Sequence, residues 1–142
     1  MIFFIVMLFL SGLTAIPLET ELGILTKVFP GGSFGNWFGK VHFGLVDTNT
    51  KYPFLAYGYD WLAFAHFVLA ILFIGPLRNP VRNKWVIEFG MIACLLIIPY
   101  ALIAGHFRGI PFGWRIIDCS FGVFGLIPLF ICLKKINQLE KA

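Results

Sequence analysis

The chain has 142 residues, of which 59% are apolar and only 13% are charged. A typical soluble domain carries about 25% charged residues, so this composition excludes an ordinary soluble globular domain. The formal net charge is +4, but the eleven lysines and arginines are scattered between apolar runs and form no basic face, which argues against nucleic-acid binding. The composition predicts an integral membrane protein that contacts lipid and no nucleic acid.

Four apolar runs have the length of transmembrane helices. A spanning helix needs about 20 apolar residues, and backbone groups in lipid must be satisfied inside a helix. The runs cover residues 2–18, 54–77, 85–104 and 114–133. No lysine or arginine precedes the first run, as the n-region of a signal peptide would require. We therefore predict an all-α integral membrane fold, with residues 1–142 forming a single domain built as a four-transmembrane-helix bundle.

The basic residues predict the orientation of these spans. Three lie in the turn 76–84 and three in the tail after Leu133, whereas the basic residues of the first long loop are diluted by acidic ones. The positive-inside rule places that turn and the tail in the cytoplasm. With four spans, both termini are then cytoplasmic, and the expected location is a bacterial inner membrane.

The long loop between the first two runs contains an amphipathic pattern. Ser33 suits a helix N-cap, and apolar residues follow it at helical spacing, namely Phe34, Trp37, Phe38, Val41 and Leu45. The pattern predicts a helix over residues 33–46. Two placements fit it: a helix lying on the outer membrane surface, or a lid packed on the outer ends of the spans.

Ionisable residues inside spans need an explanation, because an unpaired charge there costs about 2.5–3.5 kcal/mol on insertion scales. Five residues fall within the runs or at their ends, namely Asp60, His66, Glu88, Arg115 and Asp118. Glu88 lies one helical turn after Lys84, so an ion pair at i, i+4 accounts for it. The alternative is a proton or cation acceptor on the cytoplasmic side.

Small residues predict which faces of the spans pack together, because glycine permits close approach and charges avoid lipid. The stripes at helical spacing are Tyr59, Ala63, His66 and Ala70 in the second run, Gly90, Cys94, Ala101 and Gly105 in the third, and Arg115, Asp118, Gly122 and Gly125 in the fourth. Three such stripes predict a tight bundle.

The depths of the charged residues predict an outward-facing polar pocket. At about 1.5 Å per residue, His66 lies about 9 Å and Asp118 about 6 Å below the outer ends of their spans. We expect a hydrogen bond between them, with Arg115 above it and Asp60 at the rim. Arg108 and Arg115 flank the start of the fourth helix, whose free N–H groups favour an anion. These five residues are the predicted ligand-binding set, and guanidinium groups suit phosphate or carboxylate.

Several functions fit this pocket. One is the binding of an anionic lipid headgroup, and another is a role as a subunit of a membrane complex or of a homo-oligomer. Alternatively the chain is an integral-membrane enzyme acting on a lipid-linked or isoprenoid phosphate, with His66 and Asp118 as the acid–base candidates. In the simplest alternative the charges only lock helices together, Arg115 pairing with Asp118 and Arg108 with Asp60 or with phospholipid.

The sequence predicts neither a metal nor a cofactor. Its three cysteines all lie in apolar runs and form no CxxC pair. Haem ligation by two histidines is disfavoured because His66 lies inside its span, whereas His106 lies at the end of another.

Overall fold

The computed structural model describes residues 1–141, and within that range the chain forms helices and turns without strands. Its helices are α1 (Ile2–Ala15), α2 (Leu18–Val28), α3 (Gly32–Lys51), α4 (Tyr57–Leu72), α5 (Ile74–Arg78), α6 (Lys84–Phe107) and α7 (Phe112–Leu139). A short 3₁₀ helix precedes α4.

The chain divides into two compact units. Val6–Leu69 forms the N-terminal unit, and Met1–Ile5 with the chain from Ala70 onward forms the C-terminal unit.

Among the described residues, three helical segments are long and apolar enough to cross a membrane. They are Pro53–Arg78, Lys84–Phe107 and Phe112–Leu139. Helices over the second, third and fourth apolar runs are thereby confirmed, and each segment is longer than the run that predicted it. This pattern indicates an all-helical integral membrane protein.

The first predicted span, residues 2–18, is wrong as one continuous helix. α1 ends after 14 residues, and α2 leaves it at an angle of 89°. Pro17 lies at the break, where it lacks the N–H that would continue the helical hydrogen bonds. At about 1.5 Å per residue, α1 is about 21 Å long, against about 30 Å for the hydrocarbon core. Residues 1–141 thus hold three candidate spans, or four if the bent pair counts as one span.

In the C-terminal unit, α6 and α7 form an antiparallel hairpin with small residues at their contact. Gly122 of α7 lies directly against the backbone carbonyl oxygen of Cys94 in α6. The Sγ atom of Cys119 lies 3.7 Å from the carbonyl oxygen of Ile98. Other buried side chains of this unit are Phe73, Val86, Ile87, Leu129 and Ile136. Most residues of the small-residue faces predicted for the third and fourth runs are therefore confirmed at the hairpin contact, namely Gly90, Cys94 and Gly105 of α6 with Arg115, Gly122 and Gly125 of α7.

In the N-terminal unit, α2 and α3 pack side by side. The ring centroids of Phe29 and Phe38 are 5.9 Å apart, and Phe38 is buried. The helix predicted over residues 33–46 is confirmed, but Gly31 rather than Ser33 is its N-cap. The helix continues to Lys51, where an ion pair of 2.8 Å joins Lys51 to Asp47. Its placement on a membrane surface stays a prediction.

The N-terminal unit also confirms part of the small-residue face predicted for the second run. Gly12 of α1 lies against Ala63 and His66 of α4. Ala63 is only 1% exposed, which shows that this face of α4 is covered by protein.

Candidate functional site

Arg115 lies in the first turn of α7, and its side chain reaches back to the end of α6. Its Nε–H donates a hydrogen bond to the carbonyl oxygen of Ile110 at 2.9 Å, and Nη1 donates to that of Leu102 at 3.5 Å. The aliphatic part of the side chain lies against Gly105. The guanidinium also lies 5.7 Å from the ring centroid of Phe112. These contacts hold a cationic group at the α6–α7 turn.

The expected ion pair between Arg115 and Asp118 is not formed. Arg115 instead donates to the carbonyl oxygen of Ile110 in the turn and to that of Leu102 in α6. Asp118 is half-buried one turn further along α7. Within its own unit, it makes no hydrogen bond or ion pair with any described residue. A guanidinium has five N–H donors, so three donors of Arg115 make no hydrogen bond with a described residue of its unit.

The turn between α6 and α7 places a second cation close to Arg115 in the chain. Arg108 is the C-cap residue of α6, and its side chain is exposed. Gly109 follows with a φ of 67°, a left-handed conformation that glycine adopts without strain. The N–H of Ile110 then donates to the carbonyl oxygen of Gly105 at 2.9 Å and closes the turn. The glycine and this hydrogen bond together fix the backbone conformation of the turn.

The start of α7 adds backbone donors to the same turn. The N–H groups of Trp114 and Arg115 both donate to the carbonyl oxygen of Pro111. The N–H groups of the first two residues of α7 precede these and have no intrahelical acceptor. Free N–H groups and the positive end of the helix dipole both favour an anion. The turn thus contains two arginines and the free N–H groups at the start of α7, all of which favour an anion.

The other two predicted ligand-binding residues lie in α4 of the N-terminal unit. His66 donates its Nδ1–H to the carbonyl oxygen of Leu62 at 2.7 Å, since a carbonyl oxygen only accepts. Asp60 is exposed in the first turn of α4, where the helix dipole stabilises a carboxylate. Each residue therefore has a local explanation. The hydrogen bond between His66 and Asp118 stays a prediction.

The expected pair between Lys84 and Glu88 is wrong. Lys84 Nζ lies 2.7 Å from Oε2 of Glu140, which ends α7, and Glu88 is exposed. The antiparallel hairpin brings the start of α6 to the end of α7, and this long-range pair replaces the local one. The signal in the sequence was an acidic residue just after the fourth run, which becomes informative only once the hairpin is known.

A polar cluster in the N-terminal unit was not anticipated. Asn49 donates through Nδ2 to Oε2 of Glu19 at 2.9 Å and accepts a hydrogen bond of 3.2 Å from the hydroxyl of Tyr59. The cluster joins α2, α3 and α4 through three residues that share no spacing pattern. We assign it a structural role, since all its hydrogen bonds are made within the protein.

The cationic α6–α7 turn is the strongest candidate site in the described part of the chain. Across residues 1–141, no three His, Cys, Asp or Glu side chains are grouped so that they could hold a metal ion. Comparison with protein-family models, with curated proteins and with solved structures found no match to this chain. Fold and site together define a helical membrane protein with a cationic turn between its two longest helices.

Proposed function

We propose that this chain is an integral membrane protein whose α6–α7 turn binds the phosphate of an anionic lipid headgroup. The proposal rests on one observation: Arg115 is held in place by two carbonyl oxygens and by Gly105, yet keeps three N–H donors for a ligand. A guanidinium positioned in advance loses less side-chain entropy when it binds an anion.

Arg108 supplies the second positive charge of the proposed site. Its side chain is exposed and makes no ion pair with a described residue of its unit. Guanidinium groups form paired, charge-assisted hydrogen bonds with phosphate oxygens. Arg115 therefore serves as the fixed contact and Arg108 as the mobile one, with the free N–H groups of α7 completing the donor set.

The proposed orientation places this turn at the outer leaflet of a bacterial inner membrane. The Lys84–Glu140 pair lies at the other end of the α6–α7 hairpin, together with most of the basic residues. The positive-inside rule assigns that basic end to the cytoplasm. The C-terminus is then cytoplasmic. The N-terminal nitrogen of Met1 lies 3.9 Å from the Sγ atom of Cys132 in the same unit, nearer the end of α7 than its start, so the same orientation assigns the N-terminus to the cytoplasmic side.

Lipid that copurifies with the protein tests this proposal. We expect Arg108→Gln to lower the amount of anionic phospholipid retained per protein about tenfold, because a hydrogen bond to a charged group contributes about 1.5–3 kcal/mol. Lys27→Gln, which removes an exposed cation of the N-terminal unit, is the control. Mass spectrometry of the bound lipid gives the measurement, and an unchanged lipid content in folded Arg108→Gln protein would contradict the proposal.

Arg115→Lys provides a second variant for the same measurement. It keeps the charge and removes the planar fork. We expect it to retain less anionic lipid than the wild type, and equal retention would show that Arg115 does not bind phosphate through its fork. The enzyme and complex-subunit hypotheses stay predictions from the sequence.

A further inference from the structure

The end of the α6–α7 hairpin opposite to the turn just described is strongly basic. Residues 76–88 and 134–141, which we call the basic end, contain six lysines and arginines against two glutamates. The ion pair between Lys84 and Glu140 joins these two segments. These charges therefore lie towards one end of the C-terminal unit.

The turn that carries the first half of the basic end is held by side-chain amides. Asn83 donates through Nδ2 to the carbonyl oxygens of Gly75 and Asn79, at 3.2 and 2.9 Å. The backbone N–H of Arg82 donates to Oδ1 of Asn79 at 3.1 Å. Arg78 and Arg82 thus belong to an ordered turn. Because its backbone is already fixed, less conformational entropy is lost when the turn binds a partner.

Among the described residues of the C-terminal unit, one cation of the basic end has an acidic partner. Lys84 has its carboxylate partner in Glu140. The other five are exposed and make no ion pair with a described residue of their unit, namely Arg78, Arg82, Lys134, Lys135 and Lys141. By contrast, Lys51 at the end of α3 has an acidic partner one turn away.

We propose that these five cations form a binding surface for the headgroups of anionic phospholipids in the leaflet that borders the basic end. Clusters of lysine and arginine next to a spanning helix are attracted to anionic headgroups. Residues 134 and 135 lie six and five positions before Glu140, about 8–9 Å along the helix axis. The surface therefore extends from the end of the hairpin onto its side, where headgroups of surrounding lipids lie. This inference is independent of the proposed function, which concerns the other end of the hairpin.

Trp85 is a reporter for this surface. It follows Lys84 directly and is 56% exposed. A variant with Trp85 as its single tryptophan carries phenylalanine at the three other tryptophan positions, which are Trp37, Trp61 and Trp114. In proteoliposomes, brominated phosphatidylglycerol and brominated phosphatidylcholine at equal mole fraction then compete for contact with one indole.

We expect phosphatidylglycerol to quench Trp85 with an apparent binding constant at least about threefold higher than that of phosphatidylcholine. Substituting Arg78, Arg82, Lys134 and Lys135 by Gln should bring this ratio close to one. The matched control is the double variant Lys84→Gln/Glu140→Gln, which removes the neutralised pair and should leave the ratio unchanged. A ratio of one in the unsubstituted single-tryptophan protein would overturn the proposal, as would an unchanged ratio in the fourfold variant.

Salt concentration gives a second measurement that needs no further substitution. The Debye length falls from about 10 Å at 0.1 M to about 3 Å at 1 M ionic strength. We expect the preference of Trp85 for phosphatidylglycerol to fall by half or more over this range. A preference that does not depend on salt would contradict an electrostatic surface even if the fourfold variant fails to fold.

Discussion

The side chain of Arg115 crosses the α6–α7 turn through the space that Gly105 leaves by having no side chain. This contact positions the guanidinium against the carbonyl oxygens of Leu102 in α6 and Ile110 in the turn. Because Gly105 and Arg115 lie on different helices, the contact also fixes how the two helices meet at this end. The proposed headgroup binding and the hairpin packing thus depend on the same pair.

Gly105→Ala should lower the free energy of unfolding and displace Arg115. A Cβ atom at position 105 would lie 2.6 Å from Cδ and 2.7 Å from Cγ of Arg115, so the arginine must move away from its carbonyl partners. Overpacking of this kind costs about 1–3 kcal/mol. Thermal unfolding in detergent micelles measures the loss. Gly113→Ala is the control, since a Cβ there meets open space, and an equal destabilisation by both variants would contradict the predicted contact.

Gly122→Ala should destabilise the hairpin at least as strongly as Gly105→Ala. The added methyl group would meet the backbone carbonyl oxygen of Cys94, which cannot rotate away as an arginine side chain can. The helices must separate, and we expect a loss of about 2–3 kcal/mol. Unfolding in mixed micelles of increasing dodecyl sulfate content gives the measurement. A control in another helix is Gly44→Ala, where the methyl group has free space; if its effect matches that of Gly122→Ala, the close approach of α6 and α7 is wrong.

The packed faces of the long helices were predictable because their small residues recur at helical spacing. Cys94 and Gly105 belong to one such stripe of α6, and both contact α7. Glycine within an apolar helix has few other uses, so its spacing points directly to a helix–helix contact.

The partners of the charged residues were not predictable in the same way. Sequence spacing shows neighbours along one helix, and it therefore suggested Glu88 for Lys84 and Asp118 for Arg115. The hairpin instead offers Lys84 a carboxylate 56 residues away. Arg115 instead donates to backbone carbonyl oxygens. Every residue has such an oxygen, so the residue types in the sequence do not show which one accepts the hydrogen bond.

The bend between α1 and α2 could be predicted from Pro17, although the apolar composition of residues 2–18 favours one continuous helix. Residues 2–18 are almost uninterrupted in hydrophobicity, but Pro17 removes a backbone donor near the end of the run. The two acidic residues Glu19 and Glu21 then lie in the first turn of α2, where negative charge stabilises a helix start. Local helix-start chemistry therefore predicts a new helix here better than hydropathy does.

The pair between Lys84 and Glu140 should contribute modestly to stability. The two side chains are 28% and 33% exposed, and partly exposed ion pairs contribute about 0–1 kcal/mol. A double-mutant cycle with Lys84→Gln and Glu140→Gln isolates their coupling energy, which should decrease at high salt. The same cycle with Glu88→Gln in place of Glu140→Gln serves as the control. A larger coupling of Lys84 to Glu88 than to Glu140 would contradict the observed pairing.

The central claim, that the α6–α7 turn binds an anionic headgroup, is tested most directly at Trp114, the residue before Arg115. The protein is prepared with Trp114 as its single tryptophan, and its quenching by brominated anionic lipid is compared with quenching by brominated zwitterionic lipid. We predict an apparent binding constant at least about threefold higher for the anionic lipid, and Arg108→Gln should reduce that ratio towards one. Equal quenching by the two lipids, or a preference that Arg108→Gln leaves unchanged, would contradict the account.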